Sequence, residues 1–187
     1  MSRRHTVVVD VETNGLDLER HQAIEVAWWN LDTDQRGCFV PAHNISEVLG
    51  TADVRALQVN RYIDRIPGSV YTQKWIDVLD VMVGNLMGDD GEGATLAGSN
   101  PRFDAAMLSK LILRTNDDHD TALDHEPWHH RLFDLSAYAA GVLGLDYLPG
   151  LAATCELLGV EAPDHTADGD VTATGLCFRE LQKRAVR

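Results

Sequence analysis

Apolar residues follow strand-like patterns over the first forty positions and helical spacing afterwards, and this change of period predicts the architecture. Thr6–Val11, Ala23–Leu31 and Gly37–Val40 read as strands, with Asn14-Gly15 breaking the first from the second. Trp28 and Trp29, adjacent on the second strand, must point to opposite faces, so at least one is buried. From Thr51 the chain turns to short helical pieces. Val70–Met87 then carries Trp75, Ile76, Leu79, Met82, Val83 and Leu86 at helical spacing, closed by the turn Gly88–Gly93. The short strand Ala94–Gly98 leads through Ser99-Asn100-Pro101, a cap and a first-turn proline, into a helix over Arg102–Leu113. Asn116–His130 is polar, acidic and histidine-rich without periodicity, and reads as a surface excursion. Leu132–Leu143 and Leu151–Leu158 read as helices, the latter stopped by Gly159. After Pro163, Asp168–Arg187 forms a last helix whose basic C-terminal end complements its dipole. Strands first and helices interleaved later predict an α/β fold, a mixed central β-sheet flanked by helices.

Composition narrows this picture in three ways. With 187 residues, 44% of them hydrophobic, the expectation is a single domain over residues 1–187. A net charge of -13, from 29 acidic against 16 basic residues, excludes a broad cationic face for long duplex DNA. Acidic residues gathered around divalent cations would still present a positive site to an anionic ligand. Cys38, Cys155 and Cys177 are odd in number and form no CxxC pair, and no apolar stretch reaches the ~18 residues that span a bilayer. A soluble protein of the reducing cytoplasm is expected, with no membrane partner.

Asp10 and Glu12 lie two apart on a strand and therefore share a face. A solvated edge pair competes with a metal pair here, but the valines before them resemble a central strand, where a buried charge needs a positive partner. Asp104 falls in the first turns of a helix just beyond a strand end, either an ordinary dipole-stabilised acid or a site residue. His165 and Asp170 would diverge by roughly 140° on one continuous helix. They converge only if His165 sits in the loop after Pro163 and Asp170 in the first helical turn. Mg²⁺ and Mn²⁺ take oxygen ligands, phosphodiester cleavage uses two such ions ~3.5–4 Å apart, and a histidine titrating near neutrality can take a proton from water. Four carboxylates and a histidine fit that requirement.

Three segments, in order, resemble the DEDDh branch of the DnaQ-like exonucleases. They are Asp10-Val11-Glu12-Thr13-Asn14-Gly15-Leu16, Ser99-Asn100-Pro101-Arg102-Phe103-Asp104 and His165-Thr166-Ala167-Asp168-Gly169-Asp170, with Ile24-Glu25-Val26-Ala27 and Arg131-Leu132-Phe133-Asp134-Leu135 as lesser matches. The likeness spans Val7 to Ala173. It implies an RNase H-like fold and 3′–5′ exonuclease activity on single-stranded or frayed DNA or RNA ends. It also implies two Mg²⁺ or Mn²⁺ ions on Asp10, Glu12, Asp104 and Asp170, with His165 as general base. By the same likeness the backbone of Thr13, Asn14 and Gly15 meets the terminal 3′-hydroxyl and Leu16 packs against the terminal base. Core packing is the competing role for Leu16, and Asn14 departs from the threonine or serine of many relatives. A polymerase or a second copy of the chain is a candidate partner. A catalytically silent module that binds nucleic-acid ends or a polymerase is the alternative, and the intact set of carboxylates argues against it.

Other candidates carry less. Phe103 could stack on a base but suits the core better. Arg102, Lys110, Arg114 and Arg131 could meet phosphates, although scattered surface cations usually do nothing specific. His125 and His129 have a spacing that would bind zinc on a helix, within an excursion that also holds His119 and His130, but a solvated loop fits that segment better.

Overall fold

The computed structural model describes residues 3–66, 75–88, 91–116, 123 and 125–186. Among these, β1 (Thr6–Thr13), β2 (Ala23–Asn30), β3 (Arg36–Phe39), β4 (Thr95–Gly98) and β5 (Phe133–Asp134) form one sheet in the order β3-β2-β1-β4-β5. The β1–β2 and β2–β3 pairs are antiparallel, and the β1–β4 and β4–β5 pairs are parallel. This is the mixed sheet that the pattern predicted. β5, two residues long, lies inside a segment whose apolar spacing reads as helix throughout. Only its pairing with Ala97 and Gly98 makes it a strand.

The strand alternation sorts the core into two layers. Val7, Val9 and Val11 face one side with Trp28, where α4 (Trp75–Met87) and α5 (Pro101–Asn116) cover them. Val8 faces the other side with Ala27 and Trp29, beneath α6 (Leu135–Leu143), α7 (Leu151–Leu158) and α8 (Ala167–Ala185). Trp28 and Trp29 thus do point to opposite faces, and both are buried. A third, smaller cluster joins Ile24 to Val48, Tyr62 and Ile66 of α1 (Ile45–Thr51), α3 (Tyr62–Arg65) and the residue after it; α2 (Val54–Val59) lies between these helices. The helical pieces start at Ile45, earlier than the sequence pattern indicates, because Asn44 caps α1 by accepting from the Ser46 and Glu47 N–H groups. Residues 70–74 and, within the Asn116–His130 excursion, residues 117–122 and 124 lie outside the described residues. Within that excursion Trp128 is buried in the first core layer, and His129 donates its N–H to Ala94 O at 2.9 Å. No helix among the described residues is long and apolar enough to cross a membrane.

α8 crosses β1 and β2 on the face that carries Asp10 and Glu12, so its placement decides which side chains can meet those two acids. Its N-terminus is capped by Thr166, whose hydroxyl accepts from Gly169 N–H at 3.0 Å. Its close approach depends on Gly175, where a Cβ would lie 2.4 Å from Cε3 of Trp29. The indole cannot retreat easily. Its Nε1–H donates to Asp34 at 2.9 Å, and the Arg179 guanidinium lies 4.3 Å from the ring centroid and is itself paired with Asp34. Helix propensity favours alanine over glycine by roughly 1 kcal/mol. The clash with a pinned ring outweighs it, so Gly175→Ala should destabilise the protein by about 1–3 kcal/mol in urea unfolding. A gain in stability would show that the indole is free to move.

Candidate metal centre

Asp10 and Glu12 occupy the C-terminal half of β1, alternating with Val9 and Val11, and therefore project toward α8. Asp170, in the first turn of α8, meets them there. One carboxylate oxygen from each of the three lies within 4.8 Å of the others. Asp104 enters from the first turn of α5, is 5% exposed, and accepts the Val11 N–H at 3.2 Å, which ties it to β1 between the other two acids. This turn begins at Asn100, held at φ 83, followed by the first-turn proline Pro101. Four acids from three elements thus converge at one end of the sheet.

Their electrostatics follow from crowding at low dielectric. Burial pushes Asp10 well above the ordinary carboxylate range, and the charges of Asp104, Asp170, Glu12 and Glu25 push it further. Burial, with Asp170 and Glu25, raises Glu12 to about 7, opposed by Asn60 and Arg65. Asp104 is raised to about 8, chiefly by burial and against the Val11 N–H that it accepts. Asp170 is also raised by burial, but the backbone N–H groups of Asp164 and His165 donate to its Oδ1 at 3.2 and 3.1 Å and hold the shift down. Such a cluster of oxygen donors can hold hard divalent cations, which would replace the protons that the acids otherwise need.

His165 sits in the loop before α8, at φ 59, with its imidazole exposed and its backbone N–H on Asp170. The loop geometry is the one under which His165 and Asp170 can converge. In this state the histidine contributes its backbone to the cluster, while its ring stays outside.

The β1–β2 loop is anchored to the fold at Asn14. Its side chain is fully buried and points away from the acids, donating to Val48 O at 3.1 Å and Thr51 Oγ1 at 3.0 Å while accepting from Gln22 N–H at 2.8 Å. Both amide hydrogens and one lone pair of the oxygen are used inside the fold, so the asparagine ties the loop to α1. Thr13 Oγ1 donates to Gly15 O at 2.7 Å. Gly15 is required because a Cβ there would fall 2.3 Å from the His21 ring. That ring accepts the Asp17 N–H on Nδ1, which leaves Nε2 protonated to donate to Thr51 O. Leu16 is 77% exposed, so it has no part in the core. It lines a cavity of about 280 Å³ beside the acids, together with Glu12, Thr13, Arg55, Val59, Asn60 and Phe103. Phe103 packs against the core, as favoured, and also faces this cavity.

Lys110 is half-buried and committed to the fold. Its ammonium donates to Leu18 O, Glu19 O and His21 O at 2.8, 3.3 and 2.7 Å and so clamps the loop that carries Leu16. Arg102 and Arg131 are exposed and lie in no carboxylate cluster, while the side chain of Arg114 and the whole of His119 lie outside the described residues. His125 and His129 are not on a helix, which removes the geometry for a zinc pair, and no metal-ligating cluster among the described residues includes them. Sequence reasoning missed Arg65 and Asn60 as neighbours of the acids. Glu25 had two available signals, a carboxylate within the otherwise apolar run Ala23–Leu31 and its place in the lesser match Ile24-Glu25-Val26-Ala27.

Solved structures share this architecture. Exonuclease I of E. coli in complex with a dT13 oligonucleotide superposes with a TM-score of 0.67 at 16% identity, covering 99% of this chain and 42% of its own. The nuclease domain of 3′hExo, a DEDDh family member bound to rAMP, superposes with a TM-score of 0.59 at 16% identity over 96% of this chain and 92% of its own. The chain therefore spans less than half the length of the exonuclease I chains that it matches. No family model matches the sequence. The fold is the α/β, RNase H-like fold of these exonucleases, as the resemblance implied.

The raised carboxyls fix the sign of a pH effect in the metal-free protein. Glu12 ionises near 7 when folded but near its ordinary 4.5 when unfolded, so the folded chain retains a proton that the unfolded chain has released. Its contribution is fully present below the unfolded value and is lost as pH rises toward 7. Between pH ~5 and ~8 in EDTA, Glu12 alone should cost about 2.5 kcal/mol, with Asp10 and Asp104 acting in the same direction. Glu12→Gln should flatten the slope of denaturant-derived stability against pH. A stability that rises through this window would contradict the crowding.

Proposed function

We propose that the protein is a metal-dependent exonuclease that removes nucleotides from the 3′ ends of single-stranded or frayed DNA or RNA. The observation that carries this reading is the cluster of Asp10, Glu12 and Asp170, with carboxylate oxygens within 4.8 Å of one another and Asp104 tied alongside, next to a cavity of nucleoside size. In this reading Asp10, Glu12, Asp104 and Asp170 hold two Mg²⁺ or Mn²⁺ ions. Such ions, when bound, polarise the phosphoryl group and make water acidic enough to attack it. The carboxylates fix where the scissile phosphate lies. Leu16 and Phe103 offer apolar surface to the terminal base, and the Thr13–Gly15 backbone faces the 3′-hydroxyl. His165, exposed in the loop before α8, takes the proton of the attacking water on its imidazole.

Support also comes from the fold. Chains of this architecture include exonuclease I of E. coli, solved with a dT13 and with a dA16 oligonucleotide. The net charge of -13 is consistent with a substrate gripped locally at its end.

Digestion of 5′-labelled single-stranded DNA and RNA of equal sequence, with Mg²⁺, Mn²⁺ or EDTA, tests the reading. A ladder shortening from the 3′ end is expected, dependent on metal and absent in Asp104→Ala. His165→Ala should lower the rate by ~10²–10⁴-fold and remove a limb of the pH profile. No cleavage of either substrate with either metal would overturn the reading and favour a silent end-binding module.

A further inference from the structure

Glu25 lies directly opposite Glu12 in the β1–β2 ladder, on the same face, so a fifth carboxylate is buried beside the four of the cluster. A cation must answer it. Arg65, the last residue of α3, forms a two-pronged pair with it, Nη1 to Oε1 at 3.2 Å and Nη2 to Oε2 at 3.0 Å, with side-chain exposures of 22% and 10%. The remaining edge of the guanidinium is also used, because Nε donates to Asn60 O at 3.0 Å and so fixes the plane of the fork. Asn60 in turn donates from Nδ2 to Thr13 O at 3.0 Å, on β1 next to Glu12. In the other direction, Glu25 Oε2 accepts the N–H of Ala167 at 3.0 Å. Ala167 opens α8, two residues after His165 and three before Asp170.

The result is a continuous bracket from Thr13 through Asn60, Arg65 and Glu25 to Ala167. It joins the strand that carries Glu12 to the helix that carries Asp170. A buried ion pair of this kind is weak evidence for stability, since a well-packed apolar replacement is often as stable. What an apolar pair could not supply is the set of directed bonds that fixes one element against the other. We propose that Arg65 and Glu25 are positioning residues, which hold Glu12 on β1 and the His165–Asp170 turn of α8 at the separation that hydrolysis requires. This rests on the exonuclease reading.

The test compares Arg65→Met, Arg65→Lys and the double variant Glu25→Gln/Arg65→Met with wild type, in Mg²⁺-dependent steady-state hydrolysis of a 5′-labelled single strand. Arg65→Met leaves Glu25 buried without a cation and can fail to fold, whereas the double variant removes both charges and keeps the fold testable by circular dichroism. Folded Arg65→Met and the double variant should lose ~10–100-fold in kcat, because misplacement by about 1 Å has effects of this size. KM should stay within about two-fold, because no group that grips the strand has been removed. Arg65→Lys should remain impaired, since one ammonium cannot reproduce the planar fork. A folded double variant with wild-type kcat, an effect confined to KM, or full rescue by lysine would each overturn the proposal. Wild-type inactivity would instead refute the exonuclease reading itself, before any variant is compared.

Discussion

The crowding of four partly or fully buried carboxylates, which lose hydration first and repel one another second, is the constraint on which the rest of this structure turns. Asp10, Glu12, Asp104 and Asp170 approach one another from a strand and two helices, and burial raises each above its ordinary range. A fold does not collect unpaired acids at the end of a central strand without an opposing gain, because each charged form loses its hydration there. The described residues offer part of the answer through backbone N–H groups, from Val11 to Asp104 and from Asp164 and His165 to Asp170. The one arginine pairing inside the cluster's surroundings among the described residues, Arg65, is committed to Glu25. In the proposed reading, divalent cations would supply the charge that remains missing, and a phosphodiester would meet that charge.

The architecture around the cluster consists largely of devices that hold its members in place. Alternation along β1 sends valines into both core layers and the acids toward α8. Gly175 lets α8 settle against Trp29, which brings Asp170 down to the strand. On the neighbouring side, Asn14, His21 and Lys110 consume their polar groups within the β1–β2 loop and its neighbours, which leaves Leu16 exposed at the cavity. These polar contacts stabilise a particular geometry, and the apolar layers supply most of the driving force for folding.

Much of this was legible in the sequence because the decisive signals are local. A strand period places Asp10 and Glu12 on one face, a first-turn proline announces the helix of Asp104, and a loop after Pro163 allows His165 and Asp170 to converge. Pairings across long separations left no local trace. Arg65 and Glu25 stand forty residues apart and Lys110 reaches carbonyls some ninety residues away, so nothing in either neighbourhood identifies the partner. The anchoring of the Asn14 side chain was hidden for a related reason, because its partners on α1 and Gln22 are brought to it only by the tertiary arrangement. β5 is similarly silent, since two residues cannot display a period.

Thermal unfolding of the purified protein near pH 8, without metal and with millimolar Mn²⁺, tests most directly whether charge crowding makes this a cation site. Binding to the folded state alone must raise the midpoint as Mn²⁺ increases. Asp10→Asn should melt higher than wild type in EDTA, because one repelling charge is gone, and should lose most of the response to Mn²⁺. A wild-type midpoint that ignores Mn²⁺, or an Asp10→Asn variant that melts lower in EDTA and responds fully to the metal, would contradict it.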